Sequence, residues 1–419
     1  RAPPPGLQAA GPIRPEPAMI RFHSRTDVGL KRRHNEDALL ALEDYGLFVV
    51  ADGVGGRKAG ELASAITVDT FQVYAPRLRE AAEAFGASPS RTLRNVVLAM
   101  LDECVNTASN RVYDTASGTG REGMTSTVCA VLVGGGEAFI AHVGDSRVYL
   151  LRDGQLRQLT EDHSMVNELL RSGTMSAEEA SRSRYRHVIT RAIGLYPNVH
   201  VDTLALELAA GDRLMLCSDG VSDLVRPDRI AELLRKPDVT AAAEALVDDA
   251  LAAGGRDNIT TIVLDPEART DSTAVAARAR AMENLFLFQD LPFQARIRVG
   301  RIVHDRHVRP GEVVVRQGQP GDTMYVVVTG SFSVLVHDEE VARFSEGEHF
   351  GEVSLIDDSP RSATVIARTE GHLLAIDREA LRAYCAQEPA VGNRMLWRLV
   401  ATLSQRLRNA NERAAGHAR

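Results

Sequence analysis

The sequence predicts an α/β protein of more than one domain. Its 419 residues exceed what a single hydrophobic core usually organises. Short β-rich runs alternate with helical patterns from Ile20 to Pro266. From Val299 to Ile376 short β-rich runs recur between glycine-containing turns, as in a β-roll or barrel, and after Asp377 the pattern is helical to the end. We therefore expect a mixed α/β domain followed by a smaller, β-rich domain.

Apolar and amphipathic runs define the elements of the first domain. The predicted strands are Leu47–Ala51, Ser126–Val133, Ala138–Val143, Arg147–Leu151, Arg213–Cys217 and Ile259–Leu264. The predicted helices are Glu61–Tyr74, Arg91–Arg111, Arg229–Leu234 and Ala241–Ala253, and they can cover the faces of a sheet.

Composition changes predict where the domains begin and end. Residues 1–18 contain six prolines and little periodicity, so we expect a disordered leader. The first domain then spans 19–265. An Ala/Arg/Thr-rich stretch without strand signal follows and becomes apolar at Ala281–Asp290, which predicts a linker at 266–283 and a second domain at 284–412.

Composition and charge also exclude several classes of protein. The hydrophobic share of 44% and the charged share of 25% are typical of soluble globular proteins. No run reaches the roughly 18 apolar residues of a spanning helix, and the N-terminus does not resemble a signal peptide, so we expect a cytoplasmic protein without a membrane partner. The net charge of -7 argues against nucleic acid as a partner. Four widely separated cysteines favour neither a disulfide framework nor a zinc site.

Carboxylates stand at the ends of the most apolar predicted strands. Asp52 follows one such strand directly, Asp219 follows another after Ser218, and both precede a glycine. Asp257 comes just before a third. Such side chains can converge on one edge of a sheet, where their oxygens suit hard cations such as Mg²⁺ or Mn²⁺. An Asp-Gly pair also makes tight turns, so any one of them alone has a simpler explanation.

Five segments of the first domain, in the same order, resemble the PPM family, the type 2C metal-dependent protein phosphatases. These are RRHNED at Arg32–Asp37, VVADGVGGRKAGELAS at Val49–Ser64, GDSR at Gly144–Arg147, LCSDGVSD at Leu216–Asp223 and GRDNITT at Gly255–Thr261. The resemblance covers about Met19 to Asp265 and is greatest with bacterial members. It implies a β-sandwich with helices on both outer faces and hydrolysis of phosphoserine and phosphothreonine in proteins.

The resemblance also implies a metal centre of two Mn²⁺ or Mg²⁺ ions. Asp52 would bridge both ions, the Glu36 carboxylate and the Gly53 carbonyl would hold one of them, and Asp219 and Asp257 the other. Asp145 would hold a third, weaker ion, although a turn aspartate explains it as well. Asp37 would support the site, and the side-chain amide of Asn258 would orient the carboxylate of Asp257.

The implied catalytic residues are Arg32, Asp52, Asp219 and Asp257. A two-metal site lowers the pKa of a bridging water and supplies hydroxide for attack on phosphorus. Arg32 would hold the phosphate, with Arg33 as the alternative. Val54 stands where some family members have a histidine as candidate general acid, so protonation of the leaving group is unassigned. A metal-bound water could donate that proton, and His163 and His187 are the alternatives. The segment Thr160–Arg191 corresponds to the family's variable flap and predicts substrate contact.

The second domain contains one informative segment, HFGEVSLIDDSPRSATV at His349–Val365. It resembles the phosphate-binding cassette of cyclic-nucleotide-binding domains, which are β-rolls with flanking helices. The implied ligand-binding residues are Gly351, Glu352, Arg361, Ser362 and Ala363. Arg361 would neutralise the cyclic phosphate, backbone amides would donate to it, and Glu352 would accept from the ribose hydroxyl. Ser362 does not decide between cyclic AMP and cyclic GMP, of which cyclic AMP is favoured, and a fold that binds no ligand is the alternative.

Apolar residues recur at helical spacing near the end of the chain, at Leu396, Leu399, Val400, Leu403 and Leu407. This stripe predicts a lid over the ligand or a homodimer interface, and packing against the β-roll is the simpler explanation.

Together these features predict a phosphatase of phosphorylated proteins that a cyclic nucleotide regulates. The alternative is a catalytically silent scaffold that binds cyclic nucleotide, and the acidic residues Glu36, Asp52, Asp219 and Asp257 argue against it.

Overall fold

The computed structural model describes residues 20–55, 59–119, 121, 123–171, 174–183, 185, 188–266 and 272–416. The predicted leader and His187 lie outside these ranges. The strands of the first domain are β1 (Arg21–Asp27), β2 (Asp37–Leu42), β3 (Leu47–Val54), β4 (Thr125–Ser126), β5 (Val128–Gly134), β6 (Glu137–Val143), β7 (Arg147–Arg152), β8 (Gln155–Gln158), β9 (Asp202–Glu207), β10 (Arg213–Cys217) and β11 (Ile259–Asp265). Its helices are α1 (Ala59–Ala87), α2 (Arg91–Thr119), α3 (Met165–Arg171), α4 (Ala177–Ser181), α5 (Asp219–Ser222), α6 (Pro227–Leu234) and α7 (Val239–Ala252).

The first domain is a sandwich of two antiparallel sheets. One has the order β1-β11-β10-β7-β8, and the other β2-β3-β5-β6-β9 with β4 paired to β3. Phe48, Ile140 and Leu216 belong to the apolar layer between the sheets. The long helices α1 and α2 cover the outer face of the second sheet, and α6 and α7 cover that of the first. The predicted sandwich with helices on both outer faces is therefore confirmed.

The central strands β3 and β10 are apolar over most of their length because both of their faces are buried. All five residues of β10 and the first five of β3 are buried, so neither strand alternates polar with apolar residues. A carboxylate lies near the end of each strand: Asp52 is among the last three residues of β3, and Asp219 lies two residues after the end of β10. This is the physical reason that the acidic residues collect at one edge of the sandwich.

The second domain is a β-roll of two four-stranded sheets. Its strands are β12 (Val303–Val308), β13 (Val313–Val315), β14 (Thr323–Thr329), β15 (Phe332–Val336), β16 (Glu339–Phe344), β17 (His349–Phe350), β18 (Thr364–Ala367) and β19 (Gly371–Asp377). The sheet orders are β12-β19-β14-β17 and β13-β18-β15-β16, so the described strands do not close into a barrel. Its apolar interior includes Val327, Phe332 and Leu373.

Helices flank the β-roll and connect it to the sandwich. They are α8 (Ser272–Asn284), α9 (Phe293–Val299), α10 (Arg378–Gln387) and α11 (Pro389–Gly416). The helical end predicted after Asp377 is confirmed, and α8 occupies much of the stretch that we interpreted as a linker. Within the described ranges, no helix combines the length and apolar character needed to cross a bilayer.

The two domains are in direct contact through α9. Phe293 and Ile297 of this helix pack against the apolar layer of the sandwich. The guanidinium of Arg157 in β8 lies 4.8 Å from the centroid of the Phe293 ring. Beside this contact, Arg157 also pairs with Glu283 of α8 at 3.0 Å.

Candidate functional site

A cleft of about 740 Å³ opens at the edge of the sandwich where the apolar strands end. It is lined by the predicted metal ligands and by the first choice for the phosphate-binding residue, namely Arg32, Glu36, Asp52, Gly53, Asp145, Asp219 and Asp257. The sequence pattern did not show whether these residues converge, and the fold brings them together at one cleft.

Strand pairing places the carboxylates side by side. Asp37 and Asp52 are partners in the β2-β3 register, so the ends of those strands coincide. Asp219 begins the short helix α5 directly after β10, and β10 is paired with β11, which follows Asp257. Both sheets thus contribute carboxylates to the same edge.

Glycines allow the backbone of β3 to approach α1 very closely. A Cβ at Gly53 would lie 2.0 Å from the carbonyl oxygen of Gly60, so Gly53 tolerates no side chain. A Cβ at Gly60 would lie 2.6 Å from the Gly53 carbonyl oxygen and 2.8 Å from Oε1 of Glu36. Gly60 therefore keeps free the two oxygens predicted to share one metal ion, a role that sequence reasoning did not assign.

Asp37 lies beneath the cleft and connects the two sheets. Its Oδ2 accepts hydrogen bonds from the hydroxyls of Ser218, at 2.8 Å, and Thr260, at 2.6 Å. Ser218 immediately precedes Asp219. Burial raises the pKa of Asp37 to about 6. These contacts match the supporting position predicted for Asp37.

The prediction for Asn258 named the wrong hydrogen-bond donor, its side-chain amide. Its side-chain amide donates to the carbonyls of Val28 and His34, at 3.0 and 2.9 Å, and its Oδ1 accepts from the N–H of Glu36 at 2.8 Å. The backbone N–H of Asn258, rather than the amide, donates to Oδ1 of Asp257 at 2.8 Å. Asn258 thus fixes the loop that carries Glu36.

Arg32, and not Arg33, lines the cleft. Nη2 of Arg32 donates to Oδ2 of Asp257 at 2.7 Å, and this hydrogen bond raises the pKa of the guanidinium. Its side chain is 49% exposed, so its remaining donors are accessible to a ligand from solvent.

The carboxylates of the cleft oppose one another electrostatically. Burial raises the pKa of Asp52 well above its ordinary value, and the charges of Asp37, Asp219 and Asp145 raise it further. Burial likewise raises the pKa of Asp219, followed by the charge of Asp145. Such an arrangement is unfavourable for the ionised forms unless a positive charge lies among them.

The donor set fits divalent cations in its chemistry. Carboxylate and carbonyl oxygens are the ligands that Mg²⁺ and Mn²⁺ prefer. Oδ1 of Asp219 is buried and has no hydrogen-bond partner among the described residues. In contrast, no group of three or more His, Cys, Asp or Glu side chains in these ranges could hold a metal ion as it stands. The hydrogen bond between Arg32 and Asp257 is one contact with which a bound cation would compete.

Asp145 lies between the cleft and a second cavity of about 480 Å³. Burial raises its pKa to about 6, with a further contribution from the charge of Asp162. His163, considered as a general acid, is only 5% exposed. Its Nδ1 accepts from the N–H of Gly144 at 3.1 Å. It therefore supports the turn that carries Asp145 and is turned away from solvent.

Sequence reasoning also missed Asp223 and Arg256, which line the same cleft. Asp223 follows α5 within the quoted LCSDGVSD segment, so its sequence position was a signal. Arg256 adds a second cationic side chain to a cleft whose other charged residues, Arg32 apart, are acidic.

In the second domain, Arg361 is hydrogen-bonded within the predicted cassette and to the neighbouring strand β14. Its Nη1 donates to the hydroxyl of Ser354 and its Nη2 to the carbonyl of Thr323, both at 2.8 Å. Gly351 has a φ of 81°, and a Cβ there would lie 2.6 Å from Nη1 of Arg361. Burial lowers the pKa of the guanidinium. The exposed Ser362 follows it on the chain.

Glu352 is 3% exposed and is paired with a residue that sequence reasoning did not single out. One of its oxygens accepts from Arg406 of α11, and Oε2 has no partner among the described residues.

The apolar stripe of α11 is partly buried and partly exposed. Leu399 packs in the core, whereas Leu396, Val400 and Leu407 are exposed. A homodimer through this helix stays a prediction.

Comparisons with known families agree with this geometry. The family described as protein phosphatase 2C matches residues 31–253, and the family described as cyclic nucleotide-binding domain matches residues 305–388. The first match includes Arg32, Glu36, Asp52, Gly53, Asp145 and Asp219 but ends before Asp257, and the second includes Glu352 and Arg361.

Individual relatives match the first domain. The chain is 37% identical over 248 residues to serine/threonine protein phosphatase PstP of Mycobacterium tuberculosis, a match that covers 59% of this chain but only 45% of that protein. It is 35% identical over 246 residues to the serine/threonine phosphatase stp of Listeria monocytogenes, covering 58% of this chain and 94% of the relative.

A solved structure shares the fold of the same region. The catalytic domain of the serine/threonine protein phosphatase PstP in complex with two manganese ions superposes with a TM-score of 0.50 and 35% sequence identity. The match covers 59% of this chain and 98% of that domain.

Proposed function

Since this chain belongs to the protein phosphatase 2C family, we propose that it hydrolyses phosphoserine and phosphothreonine in proteins in a metal-dependent reaction. The observation that carries the proposal is the convergence of Asp52, Asp219 and Asp257 with Arg32 in one cleft. Two relatives that match this region are named serine/threonine phosphatases, which supports the same substrate class.

The metal ions would be held by the acidic edge of the sandwich. We assign Asp52 to both ions, Glu36 and the Gly53 carbonyl to one, and Asp219 and Asp257 to the other, with Asp145 at a third position. Two manganese ions are present in a similar catalytic domain, which supports Mn²⁺. Bound divalent ions would lower the pKa of a coordinated water and neutralise negative charge on the phosphoryl oxygens.

The side chains of the chain itself bind and orient the substrate. Arg32 is the cation best placed to hold a phosphoryl group, because a guanidinium can donate to two phosphate oxygens at once. Its bond to Asp257 is available for exchange, since both side chains are partly exposed. Asp37, through Ser218 and Thr260, keeps the ends of β2, β10 and β11 at fixed positions. The cleft offers no histidine after Gly53, and Val54 lines it instead.

We assign the second domain to cyclic-nucleotide binding and to regulation of the first. Arg361 and Glu352 lie on neighbouring segments with the charge and hydrogen-bonding capacity that a cyclic phosphate and a ribose hydroxyl require. The match of residues 305–388 to the cyclic nucleotide-binding family supports this assignment. The partners of the protein would then be phosphorylated proteins and cyclic AMP or cyclic GMP.

A matched set of peptides tests the proposed activity. The full chain is incubated with Mn²⁺ and one peptide sequence that carries phosphoserine, phosphothreonine or phosphotyrosine, and released phosphate is measured. We expect turnover of the first two and much slower turnover of the third. Folded protein that hydrolyses none of them at any Mn²⁺ concentration would support the silent scaffold instead.

A further inference from the structure

The second domain contributes a side chain to the surroundings of the candidate active site. Gln294 of α9 lines the cavity of about 480 Å³ that Asp145 and Asp219 also line. Its Nε2 donates to the backbone carbonyl of Gln158 at 3.0 Å. A helix outside the phosphatase match therefore contacts the segment next to the site.

That segment, residues 158–162, is tied to the turn that carries Asp145. The side-chain amide of Gln158 donates to Oδ1 of Asp162 at 3.0 Å. Asp162 accepts hydrogen bonds from Nε of Arg147, at 2.9 and 3.1 Å, and from Nη2 of Arg147, at 2.6 Å. Arg147 is two residues from Asp145 and lines the same cavity. A displacement of residues 158–162 would therefore change the position of the turn that carries Asp145.

Arg298 of α9 stands between carboxylates of both domains. Its Nη1 lies 3.5 Å from Oε2 of Glu161, and its Nε lies 3.8 Å from Oε1 of Glu388. The Arg298 side chain is 12% exposed and that of Glu161 is 20% exposed. Both distances exceed those of a strong charge-assisted hydrogen bond. A small movement can therefore strengthen one pairing at the expense of the other.

Glu388 connects this ion pair to the nucleotide cassette through α10. It follows the last residue of that helix, and its N–H donates to the Tyr384 carbonyl at 2.8 Å. At the other end of α10, Nε of Arg378 donates to the carbonyl of Ser354 at 2.6 Å. The Ser354 hydroxyl accepts from Arg361 at 2.8 Å. The helix thus spans from the predicted phosphate ligand to Arg298.

We propose that Arg298 is a positioning residue that transmits the ligand state of the cassette to Asp145. A nucleotide that binds Arg361 alters the hydrogen bond between Arg361 and Ser354. This changes the position of α10, so Glu388 moves relative to Arg298. The pairing of Arg298 with Glu161 changes accordingly and repositions residues 158–162. This inference rests on the proposed function, and it names the contact by which regulation occurs. Coupling of this kind requires that the ligand favour one of two arrangements.

Hydrogen–deuterium exchange of the full chain tests the proposal through the backbone amides of residues 158–164. We compare wild type with Arg298→Ala, Glu161→Gln, the double variant and Arg298→Lys, with and without cyclic AMP or cyclic GMP. Arg343→Ala is the matched control, because Arg343 pairs with Glu340 on an exposed strand of the same domain. Exchange in β5, deep in the sandwich, reports whether each variant is folded.

Without nucleotide, each single substitution should speed exchange of residues 158–164 by about 3- to 10-fold, and the double variant should add little, as expected for two partners of one contact. Nucleotide should change the exchange of this segment in wild type and in Arg343→Ala, should not change it in Arg298→Ala, and should change it partly in Arg298→Lys. Nucleotide binding, measured with a fluorescent cyclic AMP analogue, should persist in all variants.

Two results would overturn the role of Arg298: a nucleotide response of the same size in wild type and Arg298→Ala, or additive effects of the two single substitutions. Failure of the proposed function looks different. In that case wild type binds neither nucleotide, or it hydrolyses no phosphopeptide. If nucleotide does not bind, the proposed role of Arg298 also fails. If turnover is absent but the exchange response is intact, only the proposed activity is contradicted and the role of Arg298 stands.

Discussion

Arg32 donates a hydrogen bond of 2.7 Å to Asp257, so the residue best placed to hold a phosphate is paired with a predicted metal ligand. The pair links substrate binding to metal binding, because a metal ion that binds Asp257 would release hydrogen-bond donors of Arg32. A metal ion would compete with Arg32 for Asp257, and a phosphate would compete with Asp257 for Arg32. An arginine can exchange a carboxylate for a phosphate because the two have similar geometry.

Replacing Arg32 with Ala should lower kcat/KM for a phosphopeptide by about 10- to 100-fold, since hydrogen bonds to charged groups contribute about 1.5–3 kcal/mol. Arg32→Lys should recover only part of the loss, because an ammonium lacks the planar fork of donors. Steady-state kinetics measure both. Equal kcat/KM in wild type and Arg32→Ala would place the phosphate elsewhere, with Arg256 as the next cation in the cleft.

Gly60→Ala should raise the Mn²⁺ concentration needed for half-maximal turnover by at least about 10-fold, an effect of the size seen when groups that orient metal ligands are altered. The added Cβ would crowd the Gly53 carbonyl and Glu36 at 2.6 and 2.8 Å. Gly118→Ala is the control, because a Cβ at that helical position meets nothing within 4 Å. A Gly60→Ala protein with an unchanged Mn²⁺ requirement would remove Glu36 and Gly53 from the metal site.

Asp145 should make the chelator-treated protein less stable as the pH rises from about 4 to 7. Its pKa is about 6 in the folded chain and 3.8 in the reference state. The folded state therefore binds more protons in this window, and the free energy of unfolding falls as the pH rises. One pKa unit corresponds to about 1.4 kcal/mol, so the loss is on the order of 2–3 kcal/mol.

Thermal unfolding of wild type and Asp145→Asn at several pH values isolates this contribution, because asparagine does not titrate. Wild type should lose stability relative to the variant between pH 4 and 7, and Mn²⁺ should restore more of it in wild type than in the variant. Parallel pH dependence of the two proteins would show that Asp145 titrates normally.

Arg361→Ala should weaken binding of cyclic AMP or cyclic GMP by at least about 10-fold, because it removes the charge-assisted hydrogen bonds available to the cyclic phosphate. Titration with a fluorescent analogue measures the affinity. Arg343→Ala, with a side chain that is 62% exposed, should bind as wild type does. Equal affinity of Arg361→Ala and wild type would mean that the nucleotide does not use this cassette.

The elements that sequence reasoning predicted are those whose residues are determined locally. Strand β10 was predicted with its observed bounds because the four residues after Arg213 are apolar and the whole strand is buried. Strands β1 and β9 were missed, because they lie at sheet edges and carry polar, partly exposed residues that do not form an apolar run. The acidic ends were found because Asp52 and Asp219 follow apolar runs and Asp257 precedes one, and the order of the motifs along the chain indicated the family.

Other features depend on contacts between distant parts of the chain. The amide of Asn258 bonds to carbonyls more than 200 residues away, so its local position beside Asp257 was misleading. The role of Gly60 depends on how closely α1 approaches β3. The contacts of α9 with Gln158 and Glu161 join separate domains and leave no periodic signal in either sequence.

The most direct test of the central claim is phosphate release from a phosphothreonine peptide by the full chain, first stripped of metal and then supplied with increasing Mn²⁺, for wild type and Asp219→Asn. We predict turnover that depends on Mn²⁺ in wild type and falls by at least about 100-fold in Asp219→Asn, beyond the 10- to 100-fold typical of residues that only support a metal ligand. Mn²⁺-independent turnover, or turnover of folded Asp219→Asn at the wild-type rate, would contradict a metal-dependent phosphatase centred on this cleft.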